Sequence, residues 1–175
     1  MIKISRNIKI NIISGIAFLF VIGIALNDIF KYKLRYENGV RTVGTISVGR
    51  SYINWGYDVG GILHTGRISK THNSYAVSDE QYFVYYDKSD PSSSSINFLE
   101  PVVDSIAFEE TLSLPILNNF ESGNELIKFS YIFENDTFER ELLCRVLNNI
   151  QSKGKRYSVY FRVTNPQISY IIFEK

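Results

Sequence analysis

The stretch YFVYYDKSDPSSSSINF, Tyr82–Phe98, returns near the C-terminus as YSVYFRVTNPQISYIIF, Tyr157–Phe173. Set 75 positions apart, the two agree at Tyr82/Tyr157, Val84/Val159, Tyr85/Tyr160, Pro91/Pro166, Ser94/Ser169, Ile96/Ile171 and Phe98/Phe173. Unrelated stretches of this length share about one residue, so the match reads as an internal duplication. Each copy spells strand, turn, strand. The runs Tyr82–Tyr86 and Tyr157–Phe161 are aromatic and β-branched, which suits a pleated, half-buried surface. Asp90-Pro91 and Asn165-Pro166 then place a turn-forming residue before a proline, whose missing N–H is expected to stop the ladder.

Working outward, Val40–Arg50 alternates apolar and polar residues, and Tyr52–Val59 follows as a second extended run. Gly60-Gly61 is a two-residue hairpin signal before Ile62–Ile68. Tyr57 opens YDVGG much as Tyr131 opens YIFEN, so Glu134-Asn135-Asp136 takes the matching turn. Phe138–Ile150 is ambiguous: Phe138, Leu142, Val146 and Ile150 fall at helical spacing, whereas the duplication favours an extended strand. These readings predict a mainly β protein of two small SH3-like or OB-like barrel or sandwich modules, over 36–106 and 126–175, with 107–125 as connector.

Composition supports that class. The 175 residues include twelve Tyr and twelve Phe, and 45% are apolar. The net charge of +1 is unevenly spread: Met1–Arg35 holds six Lys/Arg against one Asp, and Tyr36–Pro115 holds five against ten acidic residues. No basic stripe marks the body, so nucleic acid is not an expected partner. A single cysteine, Cys144, excludes an internal disulfide and a cysteine-rich zinc site.

Residues 1–35 read as an N-terminal transmembrane helix with basic flanks. Ile10–Leu26 is uncharged and about 26 Å long as a helix, close to the minimum for crossing a bilayer core. Lys3, Arg6 and Lys9 precede it and Lys31, Lys33 and Arg35 follow, a near balance that leaves the orientation open. A cleaved signal peptide ending near Gly23 and Ala25 is the main alternative, and a buried soluble helix the other. The expected setting is a single-pass membrane protein with its β body outside the cytoplasm, or a secreted body after cleavage.

RTVGTI, the YDVGG hairpin, YFVYYDKSDPSSSSI and LEPVVDSI together resemble small membrane proteins of Bacteroidetes-type bacteria and the DUF3592 group. The resemblance covers Arg41–Ile106 and, more weakly, the chain from Leu126 onward. It implies a small barrel-like β module and transfers no catalytic residue.

The residue types that carry chemistry read as surface and packing. His64 and His72 are eight residues apart with no companion ligand, too sparse for a zinc set. Ser92–Ser95 lacks the glycine frame of a nucleophile elbow and reads as a solvated turn. Asp79/Glu80 and Glu109/Glu110 are adjacent pairs whose members point to opposite faces of a strand, so both read as charged surface. Asp136, Glu139 and Glu141 lack calcium-loop spacing, and Cys144 sits in an apolar run as a small buried residue. No cofactor is indicated. Tyr52, Trp55, Tyr57 and Tyr75 gather near glycine-rich turns and form the candidate binding surface, with Trp55 as anchor; ordinary core packing is the alternative. The functional expectation is a non-enzymatic binding or scaffolding module with an envelope protein as partner. A toxin-immunity or envelope-accessory role, or an enzyme with its site between the copies, are the alternatives.

Overall fold

The computed structural model describes residues 20–24, 26–27, 33, 35–70, 75–118, 120, 123–146 and 153–173. Ten strands run β1 Val40–Val48, β2 Tyr52–Val59, β3 Ile62–Ser69, β4 Gln81–Tyr86, β5 Ser94–Pro101, β6 Phe108–Leu112, β7 Gly123–Phe133, β8 Asp136–Val146, β9 Ser158–Arg162 and β10 Asn165–Ile172. The protein is mainly β, and every strand pairing is antiparallel. Phe138–Val146 lies within β8 and is extended, not helical; 147–150 fall outside the described residues.

The membrane span expected over Ile10–Leu26 lies mostly outside the described residues, as does the alternative cleavage site at Ala25. Residues 20–24 and 26 are helical and exposed, and no helix among the described residues is long and apolar enough to cross a membrane.

The first half forms one sheet in the order β3-β2-β1-β4-β5. The second half holds β10-β9-β6 and the hairpin β7-β8, joined by a bridge between Ser113 and Tyr131. Its strands therefore run β8-β7-β6-β9-β10, the same order as the first. β6 lies inside the stretch 107–125 that reads from sequence as a connector. Its register explains how it was hidden: β6 pairs with β9 as β1 pairs with β4, yet in that register FEETL shares with RTVGTI only the identity Thr111/Thr42 and the likeness Leu112/Val43, too short a match to stand out.

Register carries the correspondence to single residues. Val84 opposes Ile96, and Val159 opposes Ile171; Tyr86 opposes Ser94, and Phe161 opposes Ser169. In β2-β3, Tyr57 opposes His64, and in β7-β8 Tyr131 opposes Phe138. Both hairpins close with two residues at positive φ, Gly60 and Gly61 at 63° and 84°, Glu134 and Asn135 at 50° and 70°. Two consecutive left-handed residues give the turn whose twist matches the strands it joins. Glycine adopts that shape freely, whereas Glu134 does so against its Cβ.

The prolines behave differently in the two halves. Pro91 sits in the 87–93 turn between β4 and β5, where the ladder stops as expected. Pro166 lies inside β10, in a register shift between Asn165 and Ser169. The tighter turn at 163–164 leaves no room for it outside the strand, and a bulge asks no donor of its nitrogen.

One continuous apolar core runs through both halves. Ile46, Ile53, Tyr82 and Val84 fill it from the first, and Ile127, Tyr131, Val159 and Ile168 from the second.

Candidate functional site

Tyr57 and Tyr131 hold equivalent places. Tyr57 stacks between His64 at 5.7 Å and Tyr86 at 5.9 Å, and its hydroxyl donates to the carbonyl of Pro91. Tyr131 stacks between Phe138 at 5.6 Å and Phe161 at 5.3 Å, and its hydroxyl donates to the carbonyl of Pro166. Each tyrosine thus ties the turn end of one hairpin to the next, Tyr57 to the turn before β5 and Tyr131 to the bulge at the start of β10. A buried hydroxyl bonded at its tip lets a large ring fill the core without a stranded polar atom.

The sequence-selected aromatic surface proves to be mostly core. Trp55 is 5% exposed, Tyr57 2% and Tyr75 7%; of the four, only Tyr52 is exposed. Trp55 lies against Gly66, where a Cβ would meet its ring at 2.3 Å, and its Nε1 donates to Ser94 Oγ at 3.1 Å. The glycine beside Trp55 is therefore a slot for an indole ring. The serine run divides likewise: Ser92 is exposed and bonds Asp90, whereas Ser94 receives Trp55 and Ser95 is buried. Tyr52 faces outward and carries the Arg67 guanidinium 5.2 Å from its ring centre.

The polar centre of the molecule lies where the halves meet, and it corrects the reading of Asp79/Glu80 as charged surface. Glu80 is 0% exposed, in the loop before β4, where Asp79 takes a φ of 70° and turns outward. The Glu80 carboxylate accepts from the Arg140 guanidinium, from Val77 N–H at 2.8 Å and from Tyr82 Oη at 3.1 Å. Arg140, on β8, also donates to the carbonyl of Tyr75. Nearby, Arg162 donates to the carbonyl of Asp79 at 2.9 Å, and Tyr82 meets Tyr170 edge-on at 6.4 Å. Burial raises the Glu80 carboxyl above its usual value, while Arg140 and the two hydrogen bonds draw it back. Burial, then the nearby Glu80, pushes the Tyr75 phenol up to about 12 and that of Tyr82 upward as well.

Arg140 carried a sequence signal that composition hides. In DTFERELLCRV it shares the phase of Phe138 and Leu142, the inward face, while Glu139 and Glu141 point outward. A charge on a buried face demands a partner. Glu80 has no such signal, because it lies in a loop.

A groove of about 390 Å³ runs along the seam, walled by Phe83, Val103, Leu142, Cys144 and Ile172. Burial pushes the Cys144 thiol up to about 12, which leaves almost no thiolate near neutral pH. His64 is half-buried against Tyr57, and His72 falls outside the described residues. Glu109 and Glu110 are exposed on β6, as expected, with Glu110 accepting the Tyr160 hydroxyl at 3.0 Å. Among the described residues no three His, Cys, Asp or Glu side chains are grouped to hold a metal ion. The junction geometry fastens two surfaces together and keeps its charges from solvent.

No protein-family model, no curated protein and no solved structure matches the chain.

Proposed function

We propose that this chain is a membrane-anchored, non-enzymatic protein whose body carries two copies of one small barrel-like or sandwich-like β module and presents a binding or scaffolding surface at the cell envelope. The observation that carries the reading is the doubled construction. Two five-strand sets share one strand order, the stacked tyrosines Tyr57 and Tyr131 make the same bond to a proline carbonyl, and paired residues recur at an offset of 75. Duplicated modules multiply surface. The buried Glu80–Arg140 pair joins the copies, so their outer faces are held at a fixed relation.

The chemistry at the junction fits a fastening role. A carboxylate and a guanidinium that neutralise each other at 0% and 5% side-chain exposure are occupied with one another and have no path to a substrate. The uncharged run Ile10–Leu26, with lysines and arginines on both sides, supports the anchor.

Fusing a compartment-sensitive reporter after Lys175 tests the reading, with carbonate extraction of the same membranes. The expected result is a protein that stays in the membrane pellet with its reporter outside the cytoplasm. A reporter in the cytoplasm, or a body released as soluble protein, would overturn the envelope assignment. Substrate turnover by the purified full chain, abolished by Glu80→Gln, would overturn the non-enzymatic one.

A further inference from the structure

We propose that β3 is a self-association edge, along which a second copy of this chain adds its own β3 antiparallel about a two-fold axis. The inference concerns only the β body and stands whether or not the N-terminus spans a membrane.

A sheet edge exposes unpaired N–H and C=O groups, and proteins commonly blunt such edges with bulges, prolines or covering segments. Five of the six strands that end a sheet here are dealt with. β5 has a register shift where it meets Tyr82–Phe83 and ends at Pro101. β10 carries a bulge and Pro166. β8 packs against β5 and β10, and β6 and β7 are bridged to each other through Ser113 and Tyr131. β3 alone has none of these devices: its pairing with β2 is regular over all eight residues, and no described strand lies on its other side.

The ladder shows which groups face outward. Lys70 N–H donates to Ser51 O, and Val59 opposes Ile62 across the two-residue turn, so the even-numbered residues of β3 point their backbone toward β2. Leu63, Thr65 and Arg67 consequently point theirs away from the sheet. Side chains alternate too: those of Ile62, His64 and Ile68 lie on the face that carries Ile53, Trp55 and Tyr57. On that face the core ends at β3, which leaves Ile62 63% and Ile68 39% exposed.

A second β3 completes this edge in one register. With Thr65 opposite Thr65 of the second copy, Leu63 and Arg67 of each chain exchange backbone hydrogen bonds with Arg67 and Leu63 of the other. Ile62 then lies opposite Ile68 of the second copy, twice, extending the core face across the two-fold axis. On the outer face, Arg67 of the second copy lies over Leu63 and two strand spacings, about 10 Å, from Asp58. A guanidinium stem spans that gap, so each copy brings a cation to an acid that makes no ion pair among the described residues. Shifting the register to centre on Arg67 would oppose like charges, and centring on Gly66 would set Ile62 against Lys70. Self-complementarity of shape, hydrogen bonds and charge favours a second copy over a foreign strand.

Cross-linking of the full chain tests this directly. In a Cys144→Ser background, Thr65→Cys places two thiols on a hydrogen-bonded pair whose Cα atoms sit about 5.5 Å apart, within disulfide range. Mild oxidation is expected to yield roughly tenfold more covalent dimer than Ser47→Cys, an exposed control on interior strand β1. Thr65→Pro removes an N–H that β2 does not use, so the strand remains paired and the circular dichroism unchanged while the sedimenting dimer falls to monomer. A wild-type chain that sediments as monomer at about 100 µM, far above the Kd of a specific dimer, would overturn the proposal. Equal cross-linking of Thr65→Cys and Ser47→Cys would do so too, as would a monomer that captures a foreign extended peptide in a Thr65→Pro-sensitive way.

Discussion

β3 and β8 hold the same place in the two strand orders, yet one has no described strand on its outer side and the other is half of an interface. β8 carries Arg140 and Leu142 on its inward face, and both are buried against the first half. β3 carries Gly66 and Ile68 at the matching positions, and Trp55 fills the space above the glycine. The difference is a matter of what stands on the face. A long cation on β8 reaches across to Glu80, whereas the bare glycine on β3 accepts an indole from its own hairpin and reaches nothing. Identical backbone order therefore produced one inward-facing and one outward-facing strand.

Breaking the inward-facing member gives the largest effect. Arg140→Met strands the Glu80 carboxylate in the core and should cost about 3–5 kcal/mol in equilibrium denaturation. The double change Glu80→Leu with Arg140→Leu should recover most of that loss, because burial of the pair itself contributes little net stability. A double variant as unstable as the single one would show that the junction depends on the charges themselves.

Alkaline titration probes the same junction. Tyr75 has its phenol raised to about 12 in the folded state, and Tyr82 and Tyr170 are raised as well, by burial first and then by Glu80. Groups whose folded value is raised contribute stability that is fully present below the ordinary phenol value of about 10 and lost as pH rises past it toward 12. Denaturation midpoints should thus hold through neutral pH and fall steadily above about pH 10. Tyrosinate absorbance should appear in two stages, the exposed phenols first and the buried ones together with unfolding. A single smooth titration of all twelve tyrosines in a folded protein would contradict this burial.

The two tyrosine–proline bonds sharpen the comparison at smaller scale. Tyr57→Phe and Tyr131→Phe each remove a hydroxyl that bonds a carbonyl and should each cost about 1–2 kcal/mol. Equal losses fit two copies of one device; a loss confined to one half would mark the other bond as incidental. The smallest effect is expected at the turns. Glu134 adopts a φ of 50° that a glycine takes without strain, so Glu134→Gly should stabilise the chain by up to about 1 kcal/mol. Gly60→Ala should do the reverse.

Much of the fold is legible in the residues themselves. Alternation in β1, the Gly60-Gly61 turn and the paired YxVY runs each declare themselves locally, because a strand's side-chain period and a turn's φ requirements act on neighbours in sequence. The likeness between the Tyr82 and Tyr157 stretches favours an extended β8 where helical spacing competes with it, and β8 is a strand. β6 was not legible, since its match to β1 lies chiefly in hydrogen-bond register, with only Thr111 and Leu112 echoing Thr42 and Val43 in side chains. Aromatic clustering left two readings open for a related reason: Trp55 and Tyr57 fit a contact surface or ordinary packing until the slot at Gly66 and the partner rings His64 and Tyr86 enclose them.

What the amino-acid order determined alone is the class of object: a mainly β chain of short strands, with turns at the glycines and polar residues that require them. Tertiary structure decided which charges are buried, which strands end a sheet among the described residues and where the halves meet. Glu80 and Arg140 stand 60 residues apart, and neither residue's local pattern names the other. Their pairing arises only when both are withdrawn from water into one core, where each charge is tolerable solely because the other is present.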